Sequence, residues 1–283
     1  MSEPAPGERS SPHSMPVSPI PPHRDLLLTV FGLYGRAADG WIPVAHLVQM
    51  LSDVGADPSG VRASISRLTK KGTLVNRRKG RRSEYRLSPG LYGAFSAGDR
   101  RIFQPRQTSL SDAWLLATFS LSESQRALRH KIRSGLTRLG FGTVSPGLWI
   151  APAHLEEETL EYFERHRLAE HTIFFRAELT ADQQPQATWW NLKLLQERYE
   201  RFVTRYAPLL EQVKPRKVSG SEAFALYIPM LTEWRGLPYL DPGLPEEILP
   251  PQWHGQRARS VFAELHELLS ARAAEHAHQV LGH

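Results

Sequence analysis

Lysine and arginine side chains are concentrated in one stretch of the chain, residues 57 to 87. This stretch holds ten Lys/Arg residues against two acidic residues, Asp57 and Glu84. Clustered cations favour phosphate partners, because each phosphate contact releases a condensed counterion. A DNA duplex presents phosphates in a regular array, and its major groove admits one α-helix. The residue types in this stretch therefore predict binding to double-stranded DNA.

A helix is predicted to carry the first half of these cations. Asp57 can cap its start, Pro58 suits its first position, and Gly72 suits the position just beyond its end. Apolar residues recur along one side of it at helical spacing. The opposite side and the two ends supply the predicted DNA contacts on this helix, which are Ser59, Arg62, Ala63, Ser66, Arg67, Lys70 and Lys71.

A β-hairpin is predicted to carry the second half. Two short β-capable runs meet at Lys79-Gly80, which is a turn-forming pair. The predicted phosphate contacts here are Arg77, Arg78, Lys79, Arg81 and Arg82. Two apolar helical patterns precede the basic helix, at 25–35 and 44–55, so the order predicts a winged helix-turn-helix over residues 23–88. A merely solvated basic face is the structural alternative.

The rest of the chain predicts an α+β protein with two further domains. Residues 89–110 suggest a helical linker, and residues 111–180 alternate as β-α-β-β-α-β, the order of a ferredoxin-like sheet covered by two helices. Residues 186–283 show mostly helical periodicity and predict a C-terminal helical domain. Residues 1–22 are rich in Pro and Ser, which predicts a disordered extension.

The composition favours one class of binding partner and one cellular compartment. The net charge is +6, the chain has no cysteine, and the basic excess is localised, which favours an anionic partner. The chain also lacks an apolar run of the roughly 18 residues that a membrane span needs. These features predict a cytoplasmic protein without disulfides, thiolate metal sites or membrane association.

Three separated segments give the chain a resemblance to a known family. They are VRASISRLTKKGTLVNRRKGRRSEYRLSP, WLLATFSLSESQRALRHKIRSGLTRLGFGTVSPGLWIAP and DPGLPEEILPPQWHGQRA. In this order they resemble the PaaX family of transcriptional regulators, whose best-known member represses phenylacetate catabolism genes. The resemblance covers nearly everything after residue 23. It implies an N-terminal DNA-binding domain, a central domain similar to Cas2 nucleases, a C-terminal helical domain and a homodimer.

The resemblance also implies a small-molecule effector. This effector would be an aryl-CoA thioester, typically phenylacetyl-CoA, that acts as the inducer and releases DNA. Aromatic and cationic residues converge around the Pro-rich stretch 237–253, and four of them are candidates for the binding pocket: Trp234, Arg235, Tyr239 and Trp253. The alternative is that these side chains only pack that loop.

The residues argue against catalysis and against a metal site. A Cas2-like nuclease would place an acidic metal ligand at the end of its first strand, whereas here that strand, 114–119, is followed by Ser120, and the next acidic residue is Glu123. His276 and His278 are interpreted as solvated tail histidines. We therefore expect that the protein is not an enzyme and that it holds no resident cofactor. Two hypotheses remain, a ligand-released repressor and a ligand-independent architectural DNA-binding protein, with a metal-dependent nuclease a distant third.

Overall fold

The protein is described here by a computed structural model that covers residues 20–36, 40–180 and 185–282. The extension predicted over residues 1–22 therefore lies almost entirely outside the described residues. The described chain mixes helices with two antiparallel sheets, which confirms the α+β class.

Helices and one small sheet form the N-terminal region. Its elements are α1 His23–Tyr34, β1 Ile42–Pro43, α2 Val44–Asp53, α3 Pro58–Lys70, β2 Leu74–Lys79 and β3 Arg82–Leu87. The strands lie in the order β1-β3-β2, and both pairings are antiparallel. The basic helix and the basic hairpin predicted from the sequence are therefore both present, as α3 and as β2–β3.

Local chemistry sets the limits of α3. The carboxylate of Asp57 accepts hydrogen bonds from the backbone N–H groups of Ser59 and Gly60, at 3.2 and 2.6 Å. Pro58 occupies the first helical position, where a missing N–H leaves no hydrogen bond unmade. Gly72 follows the helix with φ +71°, a left-handed conformation that glycine adopts without a side-chain clash. These residues fix the direction in which α3 presents its outer face.

A linker helix leads into the central region. The elements are α4 Tyr92–Phe103, β4 Trp114–Thr118, α5 Arg126–Leu139, β5 Gly142–Ser145, β6 Leu148–Pro152, α6 Glu156–Arg165 and β7 Ile173–Ala177. The four strands form one sheet in the order β5-β6-β4-β7 with antiparallel pairings. Ile132, Leu136 and Phe163 bury the two helices against one face of this sheet. The β-α-β-β-α-β order predicted from the sequence is therefore the observed one.

The opposite face of the central sheet is partly covered by the chain itself. Trp114 and Ile150 of the sheet pack in a second core with Trp190, Leu244 and Ile248. Two helices on one face of such a sheet leave its other face exposed unless something else packs there. Segments from the C-terminal region cover part of it, so only its remaining part is available to a partner.

Three helices dominate the C-terminal region, α7 Leu192–Val213, α8 Gly220–Trp234 and α9 Gly255–Leu281. They do not form a separate core. Buried residues of α1 and α2 belong to the same hydrophobic cluster as those of α7, α8 and α9. The hydroxyl of Thr232 in α8 donates a buried hydrogen bond to the hydroxyl of Thr29 in α1, at 2.8 Å. The N-terminal and C-terminal regions are thus held together by a shared core.

Phe224 tests this shared core. Its ring is fully buried in α8, with centroids 6.2 Å from Tyr34 in α1 and 5.3 Å from His276 in α9. We expect Phe224→Ala to lower the free energy of unfolding by about 3–5 kcal/mol, because it removes a large buried ring and leaves a cavity. Leu160→Ala, at an exposed position, is the control and should change it by less than about 0.5 kcal/mol.

Urea unfolding followed by circular dichroism measures both variants. Phe224→Ala should unfold in a single transition at a lower urea concentration than the wild type. Two resolved transitions, of which only one is shifted by the substitution, would contradict the shared core.

Candidate nucleic-acid interface and ligand cleft

The outer face of α3 presents its predicted contact residues to solvent. Val61, Ile65 and Leu68 are buried on the inner face of the helix. All seven residues predicted to contact DNA on this helix are exposed, namely Ser59, Arg62, Ala63, Ser66, Arg67, Lys70 and Lys71. The side chain of Arg67 donates to the hydroxyl of Ser64 at 2.8 Å, which orients its guanidinium along the helix. The structure therefore brings these residues together on one accessible surface.

The tip of the β2–β3 hairpin is also exposed and basic. Lys79 pairs with Arg82 at the end of the ladder, so Gly80 and Arg81 form a two-residue turn. Gly80 has φ +61°, and a side chain there would meet open space, so it serves the backbone conformation of the turn. Arg78, Lys79, Arg81 and Arg82 are exposed.

Arg77 differs from the other predicted hairpin contacts. It lies directly across the ladder from Glu84, and its Nε donates to Glu84 Oε2 at 2.7 Å. Its guanidinium carbon also lies 4.4 Å from the ring centroid of Trp41, with Arg86 at 4.6 Å from the same ring. The side chain is thus engaged at the base of the hairpin, where it can position the hairpin while remaining half-exposed.

The two acidic residues of the basic stretch are both occupied. Glu84 is almost buried and pairs with Arg77. Asp57 caps α3, and hydrogen bonds from the backbone N–H groups of Gly60 and Ser59 lower the pKa of its carboxyl group. Both acids therefore serve structural roles, and the exposed cations of α3 and the hairpin tip set the local electrostatic potential.

A cleft lies between the linker helix α4, the central region and the C-terminal helices. Two of the four predicted pocket residues, Trp234 and Trp253, line it. Tyr239 lines a separate, smaller pocket beside α4 and α6, and Arg235 lines neither. The side chain of Arg235 instead lies 3.6 Å from the carboxylate of Asp25 in α1. Arg235 therefore links the end of α8 to the N-terminal region.

The cleft also holds residues that sequence reasoning missed. Its cations come from the linker and from α9 and are Arg100, Arg101, Arg106 and Arg259. Asp241 accepts hydrogen bonds from the hydroxyl of Tyr199, at 2.7 Å, and from Arg259, at 3.2 Å. Arg101 donates to Glu158 at 3.2 Å and to the backbone carbonyl of Leu139 at 2.9 Å. The arginines of the linker were the signal that the sequence offered for this cleft. Helical periodicity could not show that they lie beside Arg259 of α9.

The acidic residue nearest to the end of the first central strand forms an exposed ion pair. Strand β4 ends at Thr118, and the exposed Glu123 that follows it pairs with Arg129 at 3.3 Å. Over residues 20–36, 40–180 and 185–282, no group of three or more His, Asp or Glu side chains is arranged to hold a metal ion.

Within the same residues, no helix is long and apolar enough to cross a bilayer.

The interpretation of His276 as a solvated tail histidine is wrong. Its Nε2 atom lies 2.8 Å from the Asp53 carboxylate in α2, and its side chain is 15% exposed. The chain end forms the last turns of α9, which pack against the N-terminal region, so periodicity understated the extent of the core. His278 is exposed and makes an edge contact with Tyr34, with ring centroids 6.3 Å apart.

Comparison with protein families gives three consecutive matches. Residues 23–91 match the PaaX-like protein model, residues 107–189 match the PaaX protein central Cas2-like domain, and residues 190–279 match the PaaX-like protein C-terminal domain. The second match confirms the Cas2-like assignment of the central region.

Two individual proteins are similar over most of the chain. The transcriptional repressor PaaX of Escherichia coli (strain K12) is 26% identical over 256 residues, which span 86% of this chain and 80% of that protein. The structure of an uncharacterized protein from Mycobacterium tuberculosis superposes with a TM-score of 0.52 at 21% identity, covering 88% of this chain and 96% of that one. At 21% identity, this second likeness shows a shared fold only.

His154 makes the cleft sensitive to pH. Burial, together with the positive charges of Arg101 and Arg106, lowers the pKa of His154 from 6.5 to about 4. In the unfolded chain His154 binds a proton as the pH falls through 6.5, whereas in the folded chain it binds one only near pH 4. Stability from this residue is therefore complete above pH 6.5 and is lost as the pH falls towards 4.

We expect the free energy of unfolding to fall between pH 7 and pH 5, and to fall less in His154→Gln. Urea unfolding of both proteins at the two pH values measures this difference. An identical decline in wild type and variant would contradict the assignment.

Proposed function

The chain belongs to the PaaX family of transcriptional regulators, and we propose that it binds operator DNA through α3 and the β2–β3 hairpin. One observation carries the proposal: eleven of the twelve predicted contacts are exposed, on a capped helix and a paired hairpin. Cations on ordered elements meet phosphates with little loss of conformational entropy. The related E. coli protein is a transcriptional repressor, and the family is not one of enzymes.

We interpret the N-terminal region as a winged helix-turn-helix. In that interpretation α2 and α3 form the helix pair, and the hairpin is the wing. The outer face of α3 is small and basic near Ala63 and Ser66, which allows close approach to base edges. Arg78 and Arg81 on the wing would contact phosphates. The central region, in the same interpretation, has a ferredoxin-like fold.

A homodimer would let two such regions read half-sites about 10 bp or a multiple apart. Support comes from the part of the central sheet that the chain leaves uncovered. Ile173 and Phe175 on the edge strand β7 are 60% and 51% exposed, which is unusual for large apolar side chains. A second copy packed against β7 would bury them.

An acyl-CoA effector is the further part of the proposal, with an aryl-CoA such as phenylacetyl-CoA the first compound to test. The cleft combines aromatic walls with arginines, which suits an apolar acyl group beside anionic phosphates. Its volume is about 180 Å³, smaller than the roughly 300–1,000 Å³ of typical ligand pockets. The acyl end would therefore enter the cleft while most of the CoA stays outside.

The shared core offers the effector a route to the DNA-binding elements. Trp234 lines the cleft, and its ring stacks on Phe262 with centroids 4.5 Å apart inside the core that includes α1 and α2. A hundredfold release of DNA requires about 2.7 kcal/mol of coupling, which is within the usual allosteric range. An architectural DNA-binding protein without an effector is the alternative, and binding experiments distinguish the two.

The double variant Arg78→Gln/Arg81→Gln tests the DNA-binding surface. We expect it to weaken binding to all duplexes similarly and to flatten the dependence of log K on log salt by about 1.8 units, because two phosphate contacts are lost. Fluorescence anisotropy across a salt series measures the slope. Lys193→Gln/Arg201→Gln, which removes two exposed cations of α7, is the charge-matched control and should leave the slope unchanged.

Replacement of Ser66 and Arg67 by alanine tests base reading separately. We expect altered sequence preference, with about 1–3 kcal/mol of discrimination lost for each base contact. A wing variant with the wild-type salt slope would contradict the proposed division between helix and hairpin.

The effector is tested by calorimetry of phenylacetyl-CoA with and without operator DNA. Arg106→Gln removes an exposed cation at the cleft and should weaken binding of the thioester while DNA binding persists. Arg235→Ala breaks the contact between α8 and Asp25, so it should reduce the effect of DNA on thioester affinity more than the affinity itself. If no acyl-CoA binds at micromolar concentration, the effector proposal fails and the architectural alternative stands.

A further inference from the structure

The outer face of α5 in the central region carries a one-sided positive charge. The helix, RALRHKIRSGLTRL, contains four arginines and one lysine and no acidic residue. Ile132, Leu136 and Leu139 are buried on its inner face. The exposed cations on the outer face are Arg126, Lys131, Arg133 and Arg138. A merely solvated face usually mixes both signs of charge, and this one does not.

Two acidic residues of the neighbouring helix α6 pair with arginines outside α5. Helix α6 packs against α5, where Gly135 faces Tyr162 so closely that a Cβ atom would lie 2.8 Å from its ring. Yet Glu156 of α6 pairs with Arg176 at 3.3 Å, and Glu158 pairs with Arg101 at 3.2 Å. Within the described residues, the ion pair formed by α5 is that of Arg129 with Glu123, and the four exposed cations have none. Their charge is therefore not neutralised by an ion pair, although the guanidinium of Arg133 lies 6.0 Å from the ring centroid of Trp149.

The spacing of Arg126 and Arg133 matches a phosphate backbone. At 100° per residue, Arg126, His130 and Arg133 fall within about 60° of one another and form a strip, while Lys131 and Arg138 lie about 80–160° away from it, on the other edge of the exposed face. Arg126 and Arg133 are about 10 Å apart along the axis, at 1.5 Å per residue. Successive phosphates of one DNA strand advance about 3.4 Å along the duplex, so the strip spans roughly three of them.

We propose that the outer face of α5 is a second binding surface for double-stranded DNA, separate from α3 and the hairpin. A protein partner is less well matched, because the exposed side chains include no aromatic or large apolar anchor. A membrane surface is also less well matched, because the apolar side of α5 is already buried. The proposal rests on the proposed function, since it extends the same protein–DNA contact to flanking sequence.

The linker helix α4 puts α5 within reach of such flanking DNA. Arg101 near the end of α4 donates to the carbonyl of Leu139, the last residue of α5, at 2.9 Å. Tyr92 at the start of α4 follows β3 of the hairpin by five residues. The two helices together span at most about 39 Å, which corresponds to roughly 11–12 bp of duplex. DNA extending about one helical turn beyond the hairpin could therefore meet α5.

The test compares full-length proteins on two duplexes taken from the DNA upstream of its own gene. One duplex is about 40 bp long and the other is its central stretch of about 16 bp, less than the length needed to span both surfaces. The α5 variant is Arg126→Gln/Lys131→Gln/Arg133→Gln. The charge-matched control is Lys193→Gln/Arg201→Gln/Lys217→Gln, three exposed positions in the C-terminal region. Circular dichroism checks that both variants are folded.

On the long duplex, we expect the α5 variant to flatten the slope of log K against log salt by about 2–3 units and to bind at least tenfold more weakly. On the short duplex, variant and control should match wild type. Equal slopes for the α5 variant and the control on the long duplex, or equal losses on both duplexes, would overturn the proposal and favour an acidic protein surface as the partner of α5.

Failure of this inference is distinguishable from failure of the proposed function. If the α5 variant behaves as wild type while Arg78→Gln/Arg81→Gln still flattens the slope on both duplexes, only the α5 surface is refuted. If the wild-type protein binds neither duplex, both proposals fall.

Discussion

The packing of α1 and α2 against α8 and α9 is the contact on which the rest of the molecule depends. Leu27, Phe31, Ile228 and Leu265 are fully buried in the cluster that this contact forms. Burial of each such side chain contributes about 1.5–3 kcal/mol. The N-terminal region is small, and without this contact its apolar helix faces would be exposed to water. The orientation of α3 is therefore tied to the C-terminal helices rather than to a flexible linker.

Polar contacts at the edges of this core give it a defined geometry. Asp25 lies beside Arg235, Asp53 beside His276, and the buried hydroxyls of Thr29 and Thr232 are hydrogen-bonded. The ion pair of Asp25 with Arg235 and the contact of Asp53 with His276 are both partly exposed, so each contributes little stability. Their positions are more informative, because both join the N-terminal helices to α8 or α9. A rearrangement at the cleft that moves α8 would therefore either break the contacts of Arg235 and Thr232 with α1 or move α1 together with α8.

Sequence reasoning succeeded where local chemistry decides the structure. The Asp57-Pro58 start and the Gly72 end of α3 follow from capping and backbone preferences, and the hairpin follows from Lys79-Gly80. Arg77 was predicted only as a DNA contact, because its pairing with Glu84 depends on strand register that periodicity does not supply. The cleft could not be predicted in this way. Arg259 is far along the chain from Arg101 and Arg106, and only the tertiary fold brings it beside them.

Native-state hydrogen exchange tests most directly whether the N-terminal and C-terminal regions form one cooperative unit. The measurement is the exchange of backbone amides in α1 and in α8 at increasing denaturant, followed by mass spectrometry. If the two regions form one unit, protected amides of both helices open together with the same free energy. Exchange of α1 at a much lower free energy, with α8 still protected, would show that they do not.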